Sequence, residues 1–97
     1  MKIAWDEPKR VANLAKHRLD FADLNESYFE TALLQPARTG RWMAIGLNVH
    51  NVISVVFAVL GKEGLSLISM RSANKNERKL YDQHQRQREE GLHGKRP

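Results

Sequence analysis

The sequence has no cysteine, only 7% aromatic residues and no long apolar run, and these absences exclude whole classes of protein. Without cysteine there is neither a disulfide framework nor a thiolate metal site. No apolar run approaches the roughly 18 residues that a membrane-spanning helix needs. The opening MKIAWDEPKR lacks the apolar core of a signal peptide. We therefore expect a protein that is neither exported nor inserted in a membrane, and we place it in the cytoplasm.

Motifs for metal, nucleotide-cofactor and serine-nucleophile chemistry are also missing. The four histidines include no i, i+4 pair and have no cysteine partners, so they form no zinc motif. The sequence contains no P-loop, no GxGxxG and no GxSxG. We therefore expect neither a bound metal nor a cofactor.

What the sequence does contain is enough for one compact, positively charged domain. Its 97 residues are 41% hydrophobic and carry a net charge of +5. We place a single domain at residues 1–91 and a flexible basic tail at residues 92–97. Residues 71–97 hold eight lysines and arginines against four acidic residues. Such a concentration of positive charge favours contact with a polyanion such as nucleic acid, although a solubilising surface has the same composition.

Hydrophobic periodicity predicts an α+β fold of two short N-terminal helices, a three- to four-stranded antiparallel sheet and a C-terminal helix. Asp6 is placed to cap a first helix that ends at Lys16-His17, and Asp20 to cap a second helix over about residues 21–27. The last helix is predicted from about Asn74 to Glu90, with Gly91 ending it.

Three β-rich runs follow the second predicted helix, namely RWMAIGLNV, NVISVVFAVL and LSLISMR. The short turns between them predict an antiparallel meander, and TALLQP is a possible fourth strand. The middle run is apolar on both faces, which predicts a central strand with the N-terminal helices covering one side.

Cationic groups gather where the third β-run gives way to the last helix. Cleavage of RNA without a metal needs a group that deprotonates the ribose 2′-OH, cations that neutralise the transition state, and a proton donor for the leaving oxygen. Arg71 and Arg78 are candidate phosphate-binding groups, and Tyr81 is a candidate hydroxyl donor or base-stacking group. Lys75 and Lys79 are candidate RNA-binding cations. Alternatively, Arg71 pairs with Glu77 to lock the corner between strand and helix, and Tyr81 is a half-buried core residue with its hydroxyl in water.

The step Lys16-His17 supplies the candidate proton-transfer or electrostatic groups, because an imidazole titrates near neutrality and the lysine can clamp a phosphate. Such a pair also commonly caps a helix end. Arg41, at the start of the first β-run, is a further candidate RNA-binding cation or an ordinary edge residue packed on Trp42.

The order of several short segments resembles the BrnT family of toxins from bacterial type II toxin–antitoxin systems. The segments lie between about Ile3 and Asp82, and they are WDEPK, Asn13, KHRLDF, RWMAIG, VVFAV, LISMRSA and ERKLY. The resemblance implies a RelE-like α+β fold, metal-independent RNA cleavage and growth arrest through blocked translation. It also implies a BrnA-like antitoxin that covers the toxin and binds operator DNA through its own DNA-binding part. The family's functional positions correspond here to Lys16, His17, Arg41, Arg71, Glu77, Arg78 and Tyr81.

The sequence also departs from the family pattern. Members usually carry an acidic loop directly before the Arg-Trp step, whereas this chain has the short ARTG before Arg41, so that candidate general base is absent. The family's glycine after Lys-His is Arg18 here. Asn74 and Asn76 stand where arginines or threonines are common.

Three functions are therefore compared. The first is a ribonuclease toxin whose site is a cationic surface where the sheet meets the first and last helices. The second is a module that binds RNA or an acidic antitoxin segment without catalysis. The third is a partner protein that scaffolds a repressor complex through an uncovered apolar face of the sheet.

Overall fold

The structure is a computed structural model that describes the backbone of residues 1–94 and the side chains of residues 1–90. It confirms the α+β class. The strands are β1 (Lys2–Trp5), β2 (Leu33–Pro36), β3 (Trp42–Asn48), β4 (Asn51–Leu60) and β5 (Gly64–Ser72). The helices are α1 (Glu7–His17), α2 (Glu26–Thr31) and α3 (Lys75–Gly94), with a 3₁₀ turn at Phe21–Asp23. The strands form one sheet in the order β1-β5-β4-β3-β2.

The sheet is mixed, so the prediction of a purely antiparallel sheet is wrong. Strands β2 to β5 form the predicted antiparallel part, and TALLQP contributes β2. Strand β1 pairs in parallel with β5, with Trp5 opposite Leu67. Periodicity did not predict β1, because four residues show too little alternation to be recognised.

The prediction of one second helix over residues 21–27 is also wrong. The segment forms the 3₁₀ turn and then, after an extended Leu24, helix α2. Asp20 caps the turn by accepting a hydrogen bond from the Ala22 N–H, and Asn25 caps α2 by accepting from Tyr28 N–H. Because Asn25 supplies this second cap, a separate helix begins there, whereas one continuous helix was predicted.

Helix α3 does not end at Gly91, as predicted, but continues to Gly94. One glycine inside a helix costs only about 1 kcal/mol relative to alanine, which is too little to end it. The predicted tail at residues 92–97 therefore begins within the helix, and residues 95–97 lie outside the described part of the chain. No helix within residues 1–94 combines the length and apolarity needed to cross a bilayer.

Strand β4 is central, as its two apolar faces predicted. The main core lies on the face that the 3₁₀ turn and α2 cover, and its strand residues include Ile53, Val55 and Phe57. The opposite face lies beneath the first turns of α3. There Ile45 and Ser54 are direct cross-strand partners, and both are buried. Strand β5 ends at Ser72 and α3 begins at Lys75, and we call the junction between them the corner between β5 and α3. The Ser54 hydroxyl lies beneath α3 at this corner.

Candidate active site

The corner between β5 and α3 is fixed by an ion pair between Arg71 and Glu77. The two guanidinium nitrogens Nη1 and Nη2 donate to the two carboxylate oxygens of Glu77 at 2.7 and 2.8 Å. Arg71 is the cross-strand partner of Ser54, so both side chains lie on the sheet face beneath α3. The pairing considered in the sequence analysis is therefore present, and it sets the direction of the Arg71 guanidinium.

Glu77 is nearly enclosed, and although burial by itself disfavours the charged form, every hydrogen bond that its carboxylate accepts favours that form. Besides Arg71, its carboxylate accepts hydrogen bonds from Ser54 Oγ and from the Asn74 backbone N–H, both at 2.9 Å. In return the Glu77 N–H donates to Asn74 Oδ1, which completes a capping box at the start of α3. The hydrogen bonds from Arg71 foremost, and then those from Asn74 and Ser54, lower the pKa of Glu77 to about 2. A carboxylate with so low a pKa orients Arg71 but is a poor proton acceptor.

The lowered pKa predicts that the protein loses stability in acid. A carboxylate whose pKa falls on folding stabilises the folded state above its unfolded pKa, and the contribution disappears as the pH falls toward the folded pKa. We expect the free energy of unfolding, measured in urea, to fall between about pH 5 and pH 2. In Glu77→Gln this part of the profile will be flatter, whereas the exposed control Glu30→Gln will follow the wild type. Parallel profiles for wild type and Glu77→Gln would contradict this account.

Arg78 lies at the same corner and keeps most of its hydrogen-bonding capacity. Its Nη1 donates to the Ala73 carbonyl at 2.9 Å, while Arg71 Nη1 also donates to the neighbouring Ser72 carbonyl at 3.2 Å. Consecutive carbonyls thus anchor the two guanidinium groups at one corner. Each guanidinium has five N–H donors, so both retain donors for an anion.

The charge of the corner is positive despite Glu77. Lys75 and Lys79 are exposed on the first two turns of α3, each two residues from Glu77 and so on the side of the helix away from it. With Arg71 and Arg78, the corner and the start of α3 hold four cationic side chains against one buried carboxylate. Arg71, whose side chain is 39% exposed, is both held by Glu77 and open to solvent. An arrangement of this kind can bind a phosphate group.

The end of α1 is attached to the same part of the sheet through Asn13. This buried side chain accepts a hydrogen bond from the Met70 N–H at 3.0 Å and donates to the Met70 carbonyl at 2.9 Å. Pairing with β1 ends at Leu67, so the Asn13 amide takes over the exposed edge of β5 at Met70. Its Nδ2 also donates to the Leu19 carbonyl, which holds the chain as it leaves α1.

This attachment gives α1 its direction. Trp5, just before α1, pairs with Leu67, and Asn13, within α1, binds Met70, which lies three residues further along β5. Helix α1 therefore runs in the same direction as β5, and these two contacts lie about 10 Å apart along the strand. His17 lies four residues beyond Asn13 on the same helix face, about 6 Å further toward the end of β5. The half-buried His17 and the exposed Lys16 therefore lie at the end of the sheet that carries Arg71.

Arg18 shows why glycine suits the position after the Lys-His step. It lies in the left-handed region, with φ of 58°, and its N–H donates to the Leu14 carbonyl to close α1. Glycine adopts this conformation without the steric cost that a Cβ imposes. Arg18 therefore adds a cation next to His17 at some cost in backbone strain.

Tyr81 is only 6% exposed, so the prediction that a base stacks on its ring does not fit the structure. It lies one helical turn after Glu77, and its burial places it on the inner side of α3. Within the described side chains its hydroxyl makes no hydrogen bond, and the residue lines a groove between α3 and α2. A role as a hydroxyl donor is compatible with this position, whereas an enclosed ring offers no free face.

Arg41 is not brought to the corner. Ile45, Ser54 and Arg71 lie in one row across the sheet, and Arg41 precedes Ile45 by four residues, or about 13 Å of strand. It lies in an exposed loop at the other end of β3, together with Arg38.

Sequence reasoning assigned no role to Ser54, Asn13 or Asn74, although all three position the site. Asn74 could have been found, because an Asn followed three residues later by a Glu is a capping-box pattern. Ser54 gave no signal, and Asn13 was noted only as part of the family resemblance, since the partners of both are distant in sequence. Among the described residues, no cluster of three or more histidine, aspartate or glutamate side chains is arranged to hold a metal ion.

Comparison with known proteins identifies the family to which this architecture belongs. Residues 5–77 match the family described as "Ribonuclease toxin, BrnT, of type II toxin-antitoxin system". The chain belongs to the BrnT family. It is also similar to the Brucella abortus ribonuclease toxin BrnT, whose crystal structure shares 53% sequence identity with it. The similarity has a TM-score of 0.74 and covers 77% of this chain and 99% of that one. No curated protein matches the chain.

Membership in the BrnT family establishes a ribonuclease toxin of a type II toxin–antitoxin system, with RNA as its substrate and an antitoxin as its partner. The family match includes Lys16, His17 and Arg71 and ends at Glu77, so Arg78 and Tyr81 lie just beyond it.

Proposed function

We propose that this BrnT-family protein cleaves RNA without a metal ion, at the corner where β5, α3 and the end of α1 meet. The observation that carries the proposal is the joint anchoring of Arg71 and Arg78 on the carbonyls of Ser72 and Ala73, with the end of α1 fastened beside them through Asn13. In the proposed site, positive groups from these three elements act on one phosphate. Cleavage of cytoplasmic RNA would block translation and arrest growth.

The reaction that these groups suit is an internal transesterification. The ribose 2′-oxygen attacks the neighbouring phosphorus, and the bond from phosphorus to the 5′-oxygen breaks, leaving a 2′,3′-cyclic phosphate and a free 5′-hydroxyl. One proton leaves the 2′-hydroxyl and one must reach the departing oxygen. Arg71 and Arg78 would stabilise the negative charge that builds on the phosphorane oxygens.

In this proposal, Lys16 and His17 act on the phosphate from the end of α1, whereas Arg71 and Arg78 bind it from the corner between β5 and α3. We assign His17 to proton transfer, because it is the half-buried member of the pair and shares a helix face with Asn13. Lys16 and the two lysines of α3 would contribute positive potential. The Tyr81 hydroxyl, one turn from Arg78, is the second candidate proton donor.

Metal independence is tested by incubating the purified protein with single-stranded RNA in EDTA. We expect cleavage at a rate within about twofold of that in Mg²⁺, because the charge that a metal would neutralise is met by guanidinium groups. The products should carry a 2′,3′-cyclic phosphate, and RNA with 2′-O-methyl groups should remain intact. Loss of cleavage in EDTA that Mg²⁺ restores would contradict the proposed mechanism.

We further propose that the antitoxin is BrnA-like, and that operator DNA is bound only through it. An apolar groove of about 280 Å³ lies on the main-core face of the sheet, lined by apolar residues that include Trp42, Val59 and Leu34. Arg38 and Arg41 lie in the adjoining loop. An apolar partner segment that carries acidic residues fits this combination.

A non-catalytic module that binds RNA or the antitoxin is the second candidate. It is favoured by the loop before Arg41, residues 37–40, which contains no carboxylate to act as a base. The two candidates differ on induction of the gene. An active toxin stops growth, whereas a module is tolerated and binds RNA with an affinity that falls steeply with salt.

A further inference from the structure

A polar groove begins one helical turn from the cationic corner, and the proposed chemistry leaves most of it unused. It has a volume of about 460 Å³ and lies between α2, the β3–β4 turn and α3. Asn48 and Gln85 contribute side-chain amides, and both residues are half-buried. Within residues 1–90 neither amide nitrogen donates a hydrogen bond. Its size falls within the range of about 300–1,000 Å³ that is usual for small-ligand clefts.

The chemistry of the groove differs from that of the corner. No lysine or arginine lines it, and Asp23 is its one charged residue. A phosphate is therefore disfavoured there. Gln85 Oε1 accepts a hydrogen bond of 3.5 Å from Arg88 Nη1, while the amide nitrogens of Asn48 and Gln85 donate none within the described part of the chain. Together with the Tyr81 hydroxyl, these amides offer both donors and acceptors, which is what recognition of a nucleobase edge requires.

Two exposed apolar side chains, Leu47 and Val49, complete the wall on the side of the β3–β4 turn. Val49 has φ of 58°, a conformation that a β-branched residue rarely adopts, and its side chain is 77% exposed. The turn therefore holds an apolar group out at the groove at a cost in strain. Strain of this kind is commonly found at ligand-binding positions. An apolar group beside amide N–H donors suits the face and the edge of a base.

The groove is continuous with the corner along α3. Arg78, Tyr81 and Gln85 follow one another at i, i+3 and i+7, so they lie along one stripe of the helix. Tyr81 is about 4.5 Å along the helix axis from Arg78. A nucleotide whose phosphate rests on Arg78 can therefore reach the groove with its base.

We propose that the groove binds an unpaired nucleobase of the RNA next to the cleaved phosphate, with Asn48 and Gln85 contacting the base edge, and so gives cleavage a sequence preference. The inference rests on the proposed function, because it takes the phosphate site from it. The groove would then determine which RNA sequence is cut, whereas the corner between β5 and α3 would carry out the cleavage.

Cleavage of an RNA library with random bases around one cut position tests the preference. Sequencing of the cut ends for the wild type should show a difference of about tenfold or more between the best and worst base at one position next to the cut. The double variant Asn48→Ala and Gln85→Ala should reduce that difference to about threefold or less. Asn51→Ala and Gln83→Ala, a matched pair outside the groove, should leave it unchanged. Asn48→Asp and Gln85→Glu, which replace donors by acceptors, should change the favoured base.

A binding measurement separates failure of this inference from failure of the proposed function. Fluorescence anisotropy with 2′-O-methyl tetranucleotides of A, C, G or U requires no cleavage. We expect the wild type to bind one of them at least about fivefold more tightly than another, and the Asn48→Ala/Gln85→Ala variant to lose that difference. Such binding by a protein that cuts no RNA would overturn the proposed function and leave the base site standing.

Three results would overturn the inference. The first is equal binding of all four tetranucleotides by the wild type. The second is a cleavage preference that the groove variants leave intact. The third is a groove variant that keeps its cleavage pattern but binds the antitoxin at least tenfold more weakly, which would assign the groove to protein contact.

Discussion

The double substitution Arg71→Ala and Arg78→Ala is expected to lower the single-turnover rate of RNA cleavage in EDTA by roughly 1,000-fold or more. Loss of one preorganised donor to a transition-state oxyanion typically costs about 100- to 1,000-fold, and this variant removes two donors. Arg71→Lys should also be impaired, because a lysine keeps the charge but not the planar fork that Glu77 holds. The same assay with 5′-labelled RNA measures all three proteins.

A charge-matched control uses two arginines of α3 that lie away from the corner. Arg86 and Arg88 are exposed on the second half of the helix. Their replacement by alanine removes the same two charges, so it should reduce cleavage only through weaker long-range attraction, by about tenfold at most at low salt. If the Arg71/Arg78 variant, shown to be folded, cleaved RNA within tenfold of the wild-type rate, the proposed site would be wrong.

Asn13→Ala is expected to lower the free energy of unfolding by about 2–4 kcal/mol. The substitution leaves the Met70 N–H and carbonyl without partners at a buried edge and removes the hydrogen bond to Leu19. Because it also releases the end of α1, the cleavage rate of the folded fraction should fall about tenfold. Urea denaturation and single-turnover cleavage at a temperature where the variant is folded provide the two measurements.

Two further variants separate stability from positioning. The exposed Asn51→Ala should change the free energy of unfolding by less than about 0.5 kcal/mol. Asn13→Asp keeps an acceptor for the Met70 N–H but loses the donor to the Met70 carbonyl, so its effect should approach that of alanine. An Asn13→Ala protein with wild-type stability and activity would show that this amide does not fix the end of α1.

The parts of the fold that could be predicted are those with local signals. The run NVISVVFAVL identified the central strand, because it is apolar both at Ile53, Val55 and Phe57 and at the residues between them. A strand that is apolar on both faces is expected to be buried on both. The stop of α1 at His17 also followed from local sequence. Strand β1 could not be predicted, since its parallel pairing with β5 joins residues that lie about 60 positions apart and leaves no periodic signal in four residues.

The candidate site was predictable to a similar extent. The positions of Arg71 and Arg78 around a strand end and a helix start were enough to place both at one corner. Burial of Tyr81 was one of two interpretations of the sequence, but its extent was not predictable, because the narrow apolar seam of α3 was read from Leu80 and His84, whereas the structure buries Glu77 and Tyr81 more deeply. Glu77 can be buried because hydrogen bonds from Arg71 and Ser54 offset the cost of removing its carboxylate from water. These hydrogen bonds are tertiary contacts, which the local sequence does not reveal.

A crystal structure of the complex with a short RNA, blocked by 2′-O-methyl at the cleaved nucleotide, tests the central claim most directly. We predict that the phosphate 3′ of the blocked ribose lies within hydrogen-bonding distance of both the Arg71 and the Arg78 guanidinium groups, with His17 facing the ribose. A phosphate bound instead at the loop that carries Arg38 and Arg41, with the corner between β5 and α3 free of RNA, would contradict the account.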